Sequence, residues 1–226
     1  MLGVIVNFAA IIIGALAGLL FKRGMSERIK KSITEAVALA IVYVGIDGML
    51  KGENTLVLVL SMVAGALLGT LLNLDARLEG LGGWVERKLS SRASEGSIAE
   101  GFVSASLLFC VGAMAIVGPL QSGLMGNNEM LFTKSILDLI SSVVLASALG
   151  IGVMFSAFPV LLLQGSVALL AHFIAPYLSE YVVAEMTCAG SVLIMTLGLN
   201  LLGITKIKVM NLVPAIFLPI LLCMFI

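Results

Sequence analysis

Between Leu131 and Leu178 the chain carries an apolar run too long for a single membrane crossing. A helix rises ~1.5 Å per residue and spans the ~30 Å hydrocarbon core in about 20 residues. Two crossings therefore share the run. Its centre, from Gly150-Ile-Gly152 to Pro159, holds glycine and proline but no charge. That predicts a tight or partly unwound connection at or inside the membrane boundary, whose backbone needs partners among neighbouring helices or in a water-filled cavity. The flanking segments hold Lys134, Asp138, Gln164 and His172.

Composition extends this reading to the whole chain. Of 226 residues 60% are hydrophobic and 12% charged, about half the roughly 25% charge of soluble domains, and the mean hydropathy is +1.17. The fold class predicted is an all-α polytopic transmembrane helix bundle, one domain over residues 1–226, with the lipid bilayer as its first partner. Thirteen cations balance thirteen acids, so no net field attracts nucleic acid. Cys110, Cys188 and Cys223 lie singly in apolar runs, against a disulfide framework or a CxxC metal site. No HExxH, Walker loop or Ser-His-Asp pattern is present, so no enzyme, cofactor or metal is expected. The N-terminal run lacks a basic start and a small-residue cleavage site, and reads as a retained first crossing.

Spans are predicted near 2–21, 33–50, 55–74, 102–120, 131–153, 155–178, 186–203 and 210–226. Pro214 and Pro219 interrupt the last, so seven spans plus a re-entrant end is the alternative to eight. In residues 75–100 the apolar Leu78, Leu81, Trp84, Val85 and Leu89 recur at helical spacing among charges, as in an amphipathic helix on the membrane surface. With the N-terminus outside, eleven of thirteen cations fall on the cytoplasmic side, in the loops after spans one, three and seven. The positive-inside rule favours that orientation, and an even span count leaves the C-terminus outside too. An acidic loop around Ser179–Glu185 then faces outward.

Aligning TEAVALAIVYVGID from Thr34 with TCAGSVLIMTLGLN from Thr187 brings Ala36 onto Ala189, Ile41 onto Ile194, Gly45 onto Gly198 and Asp47 onto Asn200. Gly14-Ala-Leu-Ala17 matches Gly165-Ser-Val-Ala168 after a two-residue shift. The match is weak, but spans two and seven are five crossings apart and so run in opposite directions. An inverted repeat with a site near its midplane is a recurring transporter architecture.

The polar residues supply the candidate site. Lys134 and Asp138 stand at i and i+4 and can pair, and an ionisable residue two turns into a span is a functional candidate by default. Gln164 and Asn200 offer donors and acceptors to a small solute or ion, or simply join helices. Asn7, Asp47, Gln121 and His172 are secondary candidates: Asp47 reads better as a surface partner of Lys51, and His172 as an interfacial residue. Asp138 falls in the outer part of its span and Gln164 in the inner part of the next, so the two need not touch and can mark opposite ends of one path. Gly14, Gly18, Gly65 and Gly69 form small-xxx-small pairs that let helices approach, while Gly150, Gly152 and Pro159 are the hinge candidates.

The segments FVSASLLFCVGAMAIVGPLQSGLMG, KSILD, ALGIGVMFSAFPVLLLQGSVALLA and GLNLLGITKIKVMNLVPA resemble the bacterial domain-of-unknown-function 554 family, the YdfK- and YqgA-like inner-membrane proteins. The resemblance spans essentially the whole chain. It departs from the family pattern at Pro119 and Leu139, neither of which removes a polar motif residue. It implies a bacterial cytoplasmic membrane protein and supplies no substrate. The function expected from the residues is a small-solute or ion transporter or channel, with a membrane scaffold or assembly protein as the alternative. Modest size and glycine-rich faces make a homo-oligomer plausible.

Overall fold

The structure is a computed structural model that describes residues 1–22, 26–77 and 98–225. Its elements are α1 (Leu2–Lys22), α2 (Glu27–Met49), α3 (Thr55–Leu71), α4 (Ile98–Cys110), α5 (Ala113–Met125), α6 (Glu129–Leu149), α7 (Gly152–Phe155), α8 (Ala157–Leu169), α9 (Ala171–Ile174) and α10 (Glu180–Leu201). A 3-10 segment, Val209–Ile216, and α11 (Pro219–Leu222) follow. Among the described residues five helical stretches are long and apolar enough to cross a membrane, or six if the bent α4–α5 pair is one span. Helix α3 and the stretch Val209–Leu222 are apolar but shorter. Of the predicted surface segment, residues 78–97, with Trp84, lie outside the described residues.

Among the described residues, glycine sets several of the helix seams, and three of them frame the bundle. Helix α1 runs parallel to α6: Gly3 faces Leu131, Gly14 faces the Leu139 carbonyl and Ser142, and Gly18 faces the Val143 carbonyl and Ala146. Helix α2 runs antiparallel to α10, with Gly45 on Met195, Gly48 on Ser191 and Gly198 on Val42. Helix α3 lies antiparallel to the C-terminal segment, with Gly65 on Ala215 and Gly69 on Asn211. In lipid there is no hydrophobic gain from pairing two apolar helices, so van der Waals contact between closely approaching backbones carries the association. A β-carbon at any of these glycines would overlap its neighbour. The small-residue pairs are thus used inside the chain. Ile11, Ile41, Phe109, Leu145 and Leu193 fill the core between the seams.

The breaks differ from expectation in place. The predicted span 102–120 is two helices, α4 and α5, bent by 57°, because Gly112 sits between them at φ 115°, a region L side chains rarely adopt. The predicted connection 150–159 is only Gly150 and Ile151 before helix resumes at Gly152. Gly150 ends α6 at φ 84°, and its N–H reaches the Ala146 carbonyl at 2.9 Å. Gly152 lets the Ile98 carbonyl approach, where a β-carbon would collide. Pro159 is the third residue of α8, where its missing N–H lacks an intrahelical partner anyway. That helix ends at Leu169 instead of Leu178, with α9 and a 3-10 turn, Ala175–Tyr177, carrying the chain on.

Candidate functional site

The tight Gly150–Ile151 turn decides the site. Asp138 lies 12 residues before Gly150 and Gln164 14 residues after it, so Gln164 comes level with the first half of α6, and Asn7 of α1 sits between the two helices. Lys134 Nζ donates to Asp138 Oδ1 at 2.9 Å and lies 2.9 Å from Oδ2. Asn7 Nδ2 donates both to Asp138 Oδ2 at 3.0 Å and to Gln164 Oε1 at 3.2 Å. One amide therefore joins the residues expected at opposite ends of a path. Asn7 and Gln164 are fully buried, Asp138 is 5% exposed and Lys134 6%. Charged groups persist in such surroundings only when paired and hydrogen-bonded.

Donor and acceptor inventory fixes what this cluster offers. An ionised carboxylate accepts only, so Asn7 must turn its NH2 toward Asp138, which aims its oxygen elsewhere. Gln164 meets the second N–H of Asn7 with its oxygen, which leaves its own NH2 free. Accordingly Asn7 Oδ1 and Gln164 Nε2 are buried without a hydrogen-bond partner among the described residues. Ser142, one turn beyond Asp138 on α6, also has an unpartnered hydroxyl and no exposure. The cluster is internally neutral, with one acceptor, one donor and a hydroxyl in reserve. That suits a small molecule or ion with its hydration water better than a bare strong charge.

The remaining candidates lie elsewhere. Asn200 braces the turn after α10: its Nδ2 donates to the Ile207 carbonyl at 2.8 Å and its Oδ1 accepts from the Ile207 N–H at 3.1 Å and the Thr205 hydroxyl. Its polar groups are spent on that turn, away from the Asn7 cluster. It borders a cavity of about 250 Å³ also lined by Asp75, Glu100 and Ser104. Asp47 pairs with Lys51 at 3.3 Å on an exposed helix face, and His172 is exposed on α9. Gln121 is half-buried on α5.

Sequence reasoning missed Glu185. The segment expected as an acidic loop is the start of α10, whose Ser179 side chain accepts from the Val182 N–H at 3.3 Å with Glu180 in the first turn. Ser followed by an acid is a helix N-terminus signature and marks where the helix begins. Glu185 is then 1% exposed. Its Oε1 accepts from the backbone N–H groups of Glu53 at 2.6 Å and Asn54 at 2.8 Å, clamping the α2–α3 turn, while Oε2 has no partner among the described residues.

A larger cavity of about 560 Å³ lies on the opposite side of α8 from Gln164, against the α4–α5 break and the C-terminal segment. Its walls are apolar apart from Ser106, Cys110, Ser166 and the Tyr177 hydroxyl.

The profile of a family described as "Protein of unknown function (DUF554)" matches residues 2–224. The chain is 34% identical over 223 residues to "Uncharacterized membrane protein YdfK" of Bacillus subtilis (strain 168), covering 97% of this chain and 94% of that protein. It is 29% identical over 220 residues to "Uncharacterized protein YqgA" of Escherichia coli (strain K12), covering 96% and 94%. No solved structure matches the chain.

Proposed function

We propose that this chain, which belongs to the DUF554 family, moves a small polar solute or ion across the bacterial cytoplasmic membrane through the cluster of Asn7, Lys134, Asp138 and Gln164. It is a membrane protein, as its homologue's name and its apolar helices indicate. The observation that carries the transport reading is the pair of unspent amide atoms, Asn7 Oδ1 and Gln164 Nε2, buried beside a neutralised ion pair. Buried polar groups are normally satisfied, so a site that leaves an acceptor and a donor facing inward is built to receive a partner.

Two features support an inverted repeat around that site. The contacts Gly45 to Met195 and Gly198 to Val42 are one contact exchanged between halves, since the alignment places Val42 on Met195 and Gly45 on Gly198. Helix α3 and the C-terminal segment, the outer members of the two halves, also pack antiparallel. The positive-inside count supports a topology with both termini outside, and a transport role requires no catalytic residue.

The test is flux into liposomes containing the purified chain, with sodium, rubidium, chloride and a panel of labelled amino acids as probes. Wild-type protein moves at least one probe faster than empty liposomes, and Asp138→Asn and Gln164→Ala abolish that flux while the protein still inserts. Full flux in both variants sinks the assignment. The scaffold reading draws on one observation: Asn7 hydrogen-bonds across three helices, which is also what a purely helix-joining amide does. On that reading the same variants lower thermal stability and no probe moves.

A further inference from the structure

We propose that the 560 Å³ cavity beside the α4–α5 break binds one acyl chain of a bilayer phospholipid. The inference is independent of the transport reading. Three observations carry it. The walls, built from residues such as Val111, Leu163, Val213 and Ile216, are apolar; of the few polar groups Ser166 donates its hydroxyl to the Leu163 carbonyl at 2.9 Å, which leaves the Ser106 hydroxyl as a lone buried group without a partner among the described residues. Water gains too few partners on such walls to occupy them.

The cavity is also continuous with the lipid-facing surface. Leu162 on its rim is 74% exposed and Phe217 46%, and both belong to an apolar exterior that includes Phe158 and Leu221. In a bilayer the molecule lying against that exterior is an acyl chain, which can enter sideways without leaving an apolar medium. At one end the lining reaches Tyr177 and Leu178, just past α9. Tyr177 is exposed, and a tyrosine at that position suits the headgroup level, where an apolar ring and a polar hydroxyl face different surroundings. The ester end of the lipid belongs there, and the methyl end lies toward Phe102 and Pro159.

The occupant packs directly on the broken helix. Val111, which adjoins Gly112, lies between the cavity and Gly190 of α10. An acyl chain there supplies the contacts that a continuous helix would otherwise have provided, and holds the 57° bend.

The test uses the full chain, stripped of lipid in mild detergent and then given palmitoyl-oleoyl phosphatidylglycerol, with retained lipid counted by native mass spectrometry. Wild type retains one lipid per chain. Leu163→Trp and Val213→Phe, which fill the cavity, retain at least tenfold less with an unchanged or higher melting temperature, whereas Leu67→Trp on the exposed face of α3 behaves as wild type. The proposal is overturned if the filled variants keep the lipid, if wild type retains none, or if Leu67→Trp loses it equally. It is also overturned if filling the cavity instead converts a dimer to a monomer, since the occupant is then a second copy. Should one filling variant not fold, the other decides.

Discussion

Two carboxylates, Asp138 and Glu185, are almost equally buried and are held in opposite ways. Asp138 has a counter-ion on its own helix, Lys134, and an amide from a second helix. Glu185 has no cation within ion-pair distance among the described residues and is held by two backbone N–H groups of the α2–α3 turn. The first arrangement spends side chains on side chains and leaves Asn7 Oδ1 and Gln164 Nε2 open. The second spends a side chain on main chain and fixes a loop. Burial alone therefore does not mark a functional acid; what surrounds the carboxylate, and what it leaves unsatisfied, does.

The largest effect expected from breaking this contrast is at Asp138. Asp138→Leu leaves Lys134 buried without its partner, a cost of about 3–5 kcal/mol, read as a loss of unfolding free energy in detergent. Adding Lys134→Met recovers most of it, because removing both charges is close to neutral where removing one is not. A single variant costing under about 1 kcal/mol would show the pair to be solvated, against the burial.

Next comes the seam that presents Asn7 to Asp138. Gly14→Ala drives a methyl into the Leu139 carbonyl and Ser142, at about 1–3 kcal/mol for forced overpacking. It should leave amide exchange at Glu53 and Asn54 unchanged. Accelerated exchange there would mean the two regions are coupled.

At Glu185 the sharper comparison is between two variants. Glu185→Ala strips the acceptor from two amides, about 1–3 kcal/mol, with faster hydrogen exchange at Glu53 and Asn54. Glu185→Gln keeps an oxygen and should cost distinctly less. Equal losses would make negative charge, not acceptance, the operative property. The smallest effect belongs to Gly165→Ala, beside Gln164. A β-carbon there meets nothing within 4 Å, so helix propensity alone applies and stability changes by under about 1 kcal/mol, in the favourable direction.

Much of this was legible before folding. The helical class, the two long apolar helical stretches that start within or just before 131–178, the Lys134–Asp138 pairing and the surface position of Asp47 beside Lys51 all follow from hydropathy or from spacing within one helix. Asn200 and Glu185 were misplaced for a common reason. Each partners backbone of a turn, and no side-chain pattern announces which carbonyl or N–H a turn will present. The linkage of Asn7 to Gln164 depended on how tightly the chain turns at Gly150–Ile151 and on α1 packing against both α6 and α8, and helix ends inside an apolar run carry little local signal.

Composition and periodicity thus commit this chain to a helical membrane bundle, because lipid leaves backbone polar groups no other partners. They also place the i, i+4 ion pair, because it lies within one helix. Which helices meet, and so which amide reaches Asp138 and which atoms stay unspent, depends on glycine seams where backbones touch. Those contacts join residues more than a hundred positions apart, and in an apolar medium only close steric fit, established in three dimensions, selects among them.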